Sequence, residues 1–166
     1  MQTKRRFLLV LPLIGLVLAF VLLNNTAQTA PHYQGTTLQG NTFDSQQLQG
    51  KVSLINFWAT SCSGCVKEIP ELIALQNQFG NEKFQTIGIA LYYDEPAYIA
   101  NFAKRFGINY PLLHDADQKI AQAFGGVSLA PTSFIVDSKG KIVKKVVGEI
   151  DEKQVQQEIS SLLAAH

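Results

Sequence analysis

Apolar and polar positions divide the chain into segments of different period. Phe7 to Leu23 is apolar apart from Pro12 and Gly15 and follows Lys4-Arg5-Arg6 directly. Asn24 to about His32 is polar and reads as a short tether. Tyr33 to Phe43 resembles a small hairpin turning at Gln39-Gly40-Asn41, and Ser45 to Leu48 reads as a helical turn broken by Gly50-Lys51. Val52 to Trp58 is β-branched, apolar and aromatic, short enough for a strand buried on both faces. A helix should begin near Cys62 or Ser63 and run to about Phe79, with Leu72, Leu75 and Phe79 on one face, a kink expected at Pro70, and Gly80-Asn81 as its end. Phe84 to Leu91 is a second buried strand. Asp94 is expected to cap the next helix, with Pro96 in its first turn and Ile99, Phe102, Ala103 and Phe106 at helical spacing before Gly107. Tyr110 to Leu113 is a short extended piece, and Ala116 to Phe124 reads as a helix stopped by Gly125-Gly126. Thr132 to Val136 and Lys141 to Val147 are strands joined by a turn at Asp137-Ser138-Lys139-Gly140, and Asp151 caps a final amphipathic helix carrying Val155, Ile159, Leu162 and Leu163.

Alternating strands and helices followed by a hairpin predict an α/β fold, with a central mixed sheet flanked by helices on both faces. The chain has 166 residues, 46% of them hydrophobic, which suits one domain with appendages. The division is residues 1–30 as a membrane anchor or signal segment with its tether, and residues 31–166 as the folded domain. The apolar run exceeds the roughly 7–15 residues of a signal-peptide core and lies at the short end of the roughly 17–25 that span a bilayer. Both readings, uncleaved anchor and cleaved signal, place everything after Leu23 outside the cytoplasm, where disulfides persist. The 14 basic residues include Lys4, Arg5 and Arg6, which leaves 11 against 13 acidic ones in the remainder. With no basic stripe, nucleic acid is not expected as a partner.

The only two cysteines, Cys62 and Cys65, stand two residues apart after the first buried strand and at the start of a helix. A helix N-terminus stabilises a thiolate, so this placement suits a reversible dithiol. Cys62, at the cap, is the candidate nucleophile; Cys65, one turn in, is the resolving thiol. The competing readings are half of a zinc site, for which only His32, His114 and His166 remain, and a purely structural disulfide. Glu68 is three residues after Cys65 and shares its side of the helix. It could relay a proton to the thiol or pair with Lys67 at the surface; spacing does not choose between these. Pro131 precedes a strand, where a trans bond is the ordinary case. Asn56 and Trp58 read first as core residues.

The run Asn56-Phe57-Trp58-Ala59-Thr60-Ser61-Cys62-Ser63-Gly64-Cys65, with Glu68 and Pro70 after it, resembles the thioredoxin superfamily, and within it the membrane-anchored TlpA/ResA-type thiol–disulfide oxidoreductases. Gly50-Lys51-Val52, Phe124-Gly125 and Ala130-Pro131-Thr132-Ser133-Phe134 extend the likeness. The resemblance implies a thioredoxin-like fold with an N-terminal hairpin and an inserted helix and strand between about Tyr92 and Asp117. It implies that Pro131 is a cis-proline facing the dithiol, that Ala130 presents its backbone to a client strand, and that Glu68 is the active-site glutamate. Asn56 falls where cytoplasmic thioredoxins carry an acid. Trp58, Ser63, Gly64, Ala130 and Pro131 are the expected client-binding residues, and Cys62, Cys65 and Glu68 the catalytic ones. No cofactor or metal is expected beyond the Cys62–Cys65 couple. The implied partners are exported proteins with thiols or disulfides, a membrane-embedded thiol electron donor, and the membrane itself through residues 7–23. The implied location is the bacterial periplasm or extracytoplasmic face, anchored to the inner membrane. Ser61, where the family often has Trp, and the Ser63-Gly64 dipeptide, without the proline common in thioredoxins, depart from the pattern.

Overall fold

Seven successive buried residues, Val52 to Trp58, cannot lie at a sheet edge, and they form the middle strand of the molecule. The computed structural model describes residues 28–80 and 82–165. Its elements in chain order are β1 (Gln34–Thr36), β2 (Thr42–Asp44), a 3-10 turn (Ser45–Leu48), β3 (Val52–Trp58), α1 (Ser63–Phe79), β4 (Phe84–Leu91), α2 (Pro96–Phe106), β5 (Leu112–Asp115), α3 (Lys119–Ala123), β6 (Thr132–Val136), β7 (Ile142–Val147) and α4 (Glu152–Ala164). The main sheet runs β5-β4-β3-β6-β7. β3, β4 and β5 are parallel neighbours, whereas β6 pairs antiparallel with both β3 and β7. This is the mixed α/β arrangement predicted by the alternation of elements.

Side chains on alternate strand positions feed two cores. Val52, Leu54 and Trp58 meet Ile69, Leu72 and Leu75 of α1, Ile99 of α2, and Val155 and Ile159 of α4. Ile55 and Phe57 face the other way, toward Ile120 and Ala121 of α3 and Tyr33 and Phe43 of the hairpin. Pro70 sits inside α1 and removes one of its hydrogen bonds, at a cost of about 3 kcal/mol. Burial of Ile69, Leu72 and Leu75 returns about 1.5–3 kcal/mol each, so the helix continues through the proline to Phe79.

The hairpin does not stand apart. Thr37 bridges to Leu113, and the Leu38 amide donates to the Leu112 carbonyl at 3.2 Å, which covers the open edge of β5. The tether read over Asn24–His32 is part of the folded unit by Gln28. Thr29 bridges to Lys141, Ala30 N donates to Gly140 O at 2.8 Å, and Ile142 N donates to Gln28 O at 2.8 Å. The apolar run Phe7–Leu23 lies outside the described residues. No helix among the described residues is long and apolar enough to cross a membrane.

Three element readings need correction. Asp94 does not cap α2: the cap is Glu95, with no side-chain bond, because the Asp94 carboxylate is engaged elsewhere. The helix expected over Ala116–Phe124 shrinks to Lys119–Ala123. Gln118 takes a left-handed conformation at φ 61°, and Asp115 then accepts from the second and third helical amides, Ile120 at 3.0 Å and Ala121 at 2.7 Å. The extended piece near Tyr110 begins two residues later, as the edge strand Leu112–Asp115.

Candidate active site

The Cys62–Cys65 pair sits where β3 gives way to α1, beyond the carboxyl end of the central strand. There the chain order reverses, with β4 on one side of β3 and β6 on the other. Cys62 N donates to Ala59 O at 3.2 Å, closing the turn out of the strand, and Cys62 then caps α1 in an extended conformation. Its sulfur accepts from Cys65 N at 3.1 Å. That amide is one of the unpaired donors at a helix start, and the sulfur occupies the position where negative charge is favoured. The two sulfurs form a disulfide. Cys65 is 1% exposed, and Cys62 is partly exposed, so Cys62 is the sulfur a client can reach.

The turn before Cys62 is held from outside α1. Thr60 N and Thr60 Oγ1 both donate to the Asp94 carboxylate, each at 2.6 Å, from the loop after β4. Asp94 is buried, so the pair fixes the backbone two residues ahead of the reactive sulfur.

Glu68 is 2% exposed and lies one turn along α1 from Cys65, on the same side of the helix. Asn56 Nδ2 donates to its Oε1 at 2.7 Å and also to Ser133 Oγ at 3.0 Å; Ile150 N donates to its Oε2 at 3.2 Å. Burial pushes the Glu68 carboxyl up to about 7, against the downward pull of the Ile150 and Asn56 hydrogen bonds, with Glu71 and Glu149 adding negative charge. A carboxyl poised near neutrality can take or return a proton at the pH where thiols exchange. Tyr110 is pushed up by its own burial and then by the Glu68 charge, so its phenol stays protonated. The surface pair considered for Glu68 does not form: Lys67 bonds to Glu149 instead, at 2.6 Å.

The Ala130–Pro131 bond is cis. Because Phe57 stands opposite Thr132, Pro131 comes level with the end of β3, beside the dithiol. A Cβ built on Gly64 would lie 3.6 Å from Pro131 Cδ and 3.3 Å from both Cγ and Oε1 of Glu149. The turn between the cysteines therefore has neighbours on two sides. One segment links them: Gly148 N donates to Pro131 O at 2.9 Å, Glu149 lies on Gly64, and Ile150 N reaches Glu68. Ser63 is exposed, and Gly64 and Ala130 are partly exposed, around the same mouth.

Trp58 corrects the expectation of a client-facing side chain. It is 2% exposed, packs on Phe102 with ring centroids 6.4 Å apart, and belongs to the core beneath the site. Asp94, Lys67 and Glu149 are the site neighbours that sequence reasoning missed. Asp94 follows a buried parallel strand, where side chains gather at α/β sites, and that position is a usable signal. Glu149 carries no local signal, since it reaches Gly64 across 85 positions of chain. Among the described residues no group of three or more His, Cys, Asp or Glu side chains is placed to hold a metal ion.

Residues 25–163 match the Redoxin family. The chain is 34% identical over 127 residues to the thiol–disulfide oxidoreductase ResA of Bacillus thuringiensis (strain Al Hakam), which covers 76% of this chain and 72% of that protein. Among solved structures, a thiol:disulfide interchange protein of the thioredoxin family from Chlorobium tepidum TLS superposes with a TM-score of 0.76 at 30% identity, covering 82% of this chain and 97% of that one. A putative thioredoxin from Neisseria meningitidis gives the same TM-score at 38% identity, covering 83% and 91%. A dithiol capping the helix after the central strand, in a chain with these relatives, leaves one assignment: the chain belongs to the Redoxin family, as a thiol–disulfide oxidoreductase of the TlpA/ResA type within the thioredoxin superfamily.

Proposed function

We propose that this oxidoreductase runs as a reductase of exported protein disulfides. Cys62, as thiolate, attacks one sulfur of the client disulfide; the departing client sulfur takes a proton, and a mixed disulfide joins Cys62 to the client. Cys65 gives its proton to the Glu68 carboxylate and attacks Cys62 Sγ. The second client sulfur leaves as a thiolate and is protonated in turn. Two electrons pass from the protein dithiol to the client, and both thiol protons end on the two client sulfurs. A membrane-embedded thiol protein, itself oxidised in the exchange, would restore the Cys62–Cys65 dithiol. The Lys4-Arg5-Arg6 cluster ahead of Phe7–Leu23 supports an extracytoplasmic domain anchored by residues 7–23, in a bacterial periplasm or its equivalent. The resemblance to the TlpA/ResA type makes cytochrome c maturation the setting of this proposal. The couple itself supplies the electrons, and no other cofactor or metal enters the scheme.

The observation that carries the direction is the pair of carboxyl groups beside the dithiol. A strong oxidant of this chemistry is one whose reduced form is stabilised as a thiolate. Here Glu68 is buried one helical turn from Cys65, Glu149 lies on the turn between the two sulfurs, and the cation beside it, Lys67, is already bound to Glu149. Negative charge on the reduced pair is therefore opposed, and the disulfide is harder to reduce. Equilibration of the full chain, in detergent, against glutathione buffers measures this. A midpoint below about −220 mV supports net reduction, and one near the −120 mV of a strong oxidant overturns it in favour of an oxidase. Cys65→Ser should accumulate a stable mixed disulfide with a client on Cys62; no adduct would reverse the assigned order of the two cysteines.

A further inference from the structure

The mouth of the site carries a charge that the exchange reaction does not require. Glu149 Oε2 is held by Lys67 Nζ at 2.6 Å, while Oε1 rests on the backbone of Gly64, where even a methyl group would meet it at 3.3 Å. The carboxylate thus lies over the turn between the two sulfurs, on the side where Pro131 stands. Its placement is not accidental slack: the residue before it is bonded to Pro131 O and the residue after it to Glu68, so the backbone on both sides is fixed to the site. The side chain itself is about half exposed, at 47%, and can be met by an incoming chain. The surrounding surface has the same sign. Glu71, one helical turn past Lys67, is held above the ordinary carboxylate range first by burial and then by the field of Glu152, with Lys67 pulling the other way and Glu149 and Asp151 adding to the rise. Glu71 thus lies within the fields of Glu149, Asp151 and Glu152 as well as that of Lys67.

We propose that Glu149 is a specificity-determining residue: it selects client segments that carry a basic side chain next to the reacting cysteine. This rests on the oxidoreductase reading of the same dithiol. A client sulfur bonded to Cys62 brings its flanking residues against Gly64 and Pro131, hence within a few ångströms of Oε1. A lysine or arginine there gains a partner and an acidic residue meets a like charge, an effect that acts on encounter and orientation and is screened by salt. Lys67 moderates the selection by occupying the other carboxylate oxygen, and Gly64 permits it, since a larger residue would push the carboxylate off the turn.

The test uses the full chain in detergent with its dithiol reduced. Two disulfide-linked peptides differing only in arginine or glutamate beside the cysteine serve as clients, and second-order exchange rates are measured at low and high salt. The wild-type protein should favour the arginine peptide by about threefold to tenfold at low salt, and by less at about 1 M. Glu149→Gln should bring the ratio close to one. The double exchange Lys67→Glu with Glu149→Lys keeps an ion pair but reverses which charge lies on Gly64, and it should favour the glutamate peptide. If the pair were merely structural, the double exchange would leave the arginine preference in place, and that result overturns the proposal. A wild-type ratio near one, with both peptides reacting, overturns it as well while leaving the oxidoreductase assignment intact. Failure of both peptides to react with a dithiol shown to be free overturns the two together.

Discussion

A carboxyl group at 2% exposure has two ways to exist: bonded and charged, or protonated. Glu68 has two donors, Asn56 Nδ2 and Ile150 N, yet burial outweighs them and its carboxyl titrates at about 7 instead of 4.5. The folded state therefore binds this proton more tightly than the unfolded chain does. The stability it contributes is fully present below about 4.5 and is lost as pH rises through about 7, on the order of 3 kcal/mol in all. Glu68→Gln keeps the shape and removes the titration. Urea unfolding at pH 5 and pH 8 should show the wild-type protein losing about 2–3 kcal/mol more than the variant between the two; parallel losses would place the proton elsewhere. The same substitution should flatten the inflection near pH 7 in the exchange rate and slow exchange above it, about tenfold to a hundredfold, because Cys65 loses its acceptor. Single residues of this kind were only half legible in the sequence. Helical spacing put Glu68 on the face of Cys65, but its burial and bonding also involve Ile150, 82 positions away in the chain. Trp58 went the other way. The residues alone read it as core and the family resemblance made it client-facing; the parity of its position on β3 turns it toward α2.

At the scale of elements, legibility followed local signal. β3, β4 and α1 begin and end where the apolar runs and the Gly80 stop place them, because a doubly buried strand and a long amphipathic helix are written in consecutive residues. Caps failed where a side chain had a better distant partner. Asp94 has the composition of a helix cap, yet two short bonds to Thr60 at 2.6 Å outcompete the single amide it would have satisfied at the start of α2. Its work joins two elements: it pins the β3–α1 turn to the β4–α2 loop. Asp94→Ala should cost about 3 kcal/mol in chemical denaturation, since it strands a partly buried amide and hydroxyl that had bonded to a charged group. It should also slow the attack by Cys62 severalfold. Asp94→Asn, which keeps one acceptor oxygen, should recover part of both. A stability loss with no change in exchange rate would show that the turn holds its shape without this tie.

Across the whole molecule, fold and chemistry are coupled by a thermodynamic cycle. The free energy by which folding favours the disulfide over the dithiol equals the difference in stability between the oxidised and reduced proteins. It also fixes how far the midpoint of the couple lies from that of an unfolded chain. The structure gives this cycle a sign. Reducing the Cys62–Cys65 bond frees a sulfur at the head of α1, where the Cys65 amide and the helix end favour negative charge, and these act over one turn. Against them stand a buried carboxyl and a carboxylate on the turn, both positioned by the Gly148–Ile150 segment that closes the sheet onto α4. The oxidised form should accordingly be the more stable one. Denaturant unfolding of the oxidised full chain and of the chain kept reduced should differ by about 1.4 kcal/mol for every 30 mV by which the native couple lies below the unfolded one. The same experiment on Glu149→Gln should narrow that gap, because the substitution removes a charge that only the reduced, thiolate-bearing state resists. A reduced protein more stable than the oxidised one would mean that the helix end dominates both carboxyl groups, and the molecule would then be built to take electrons from its clients.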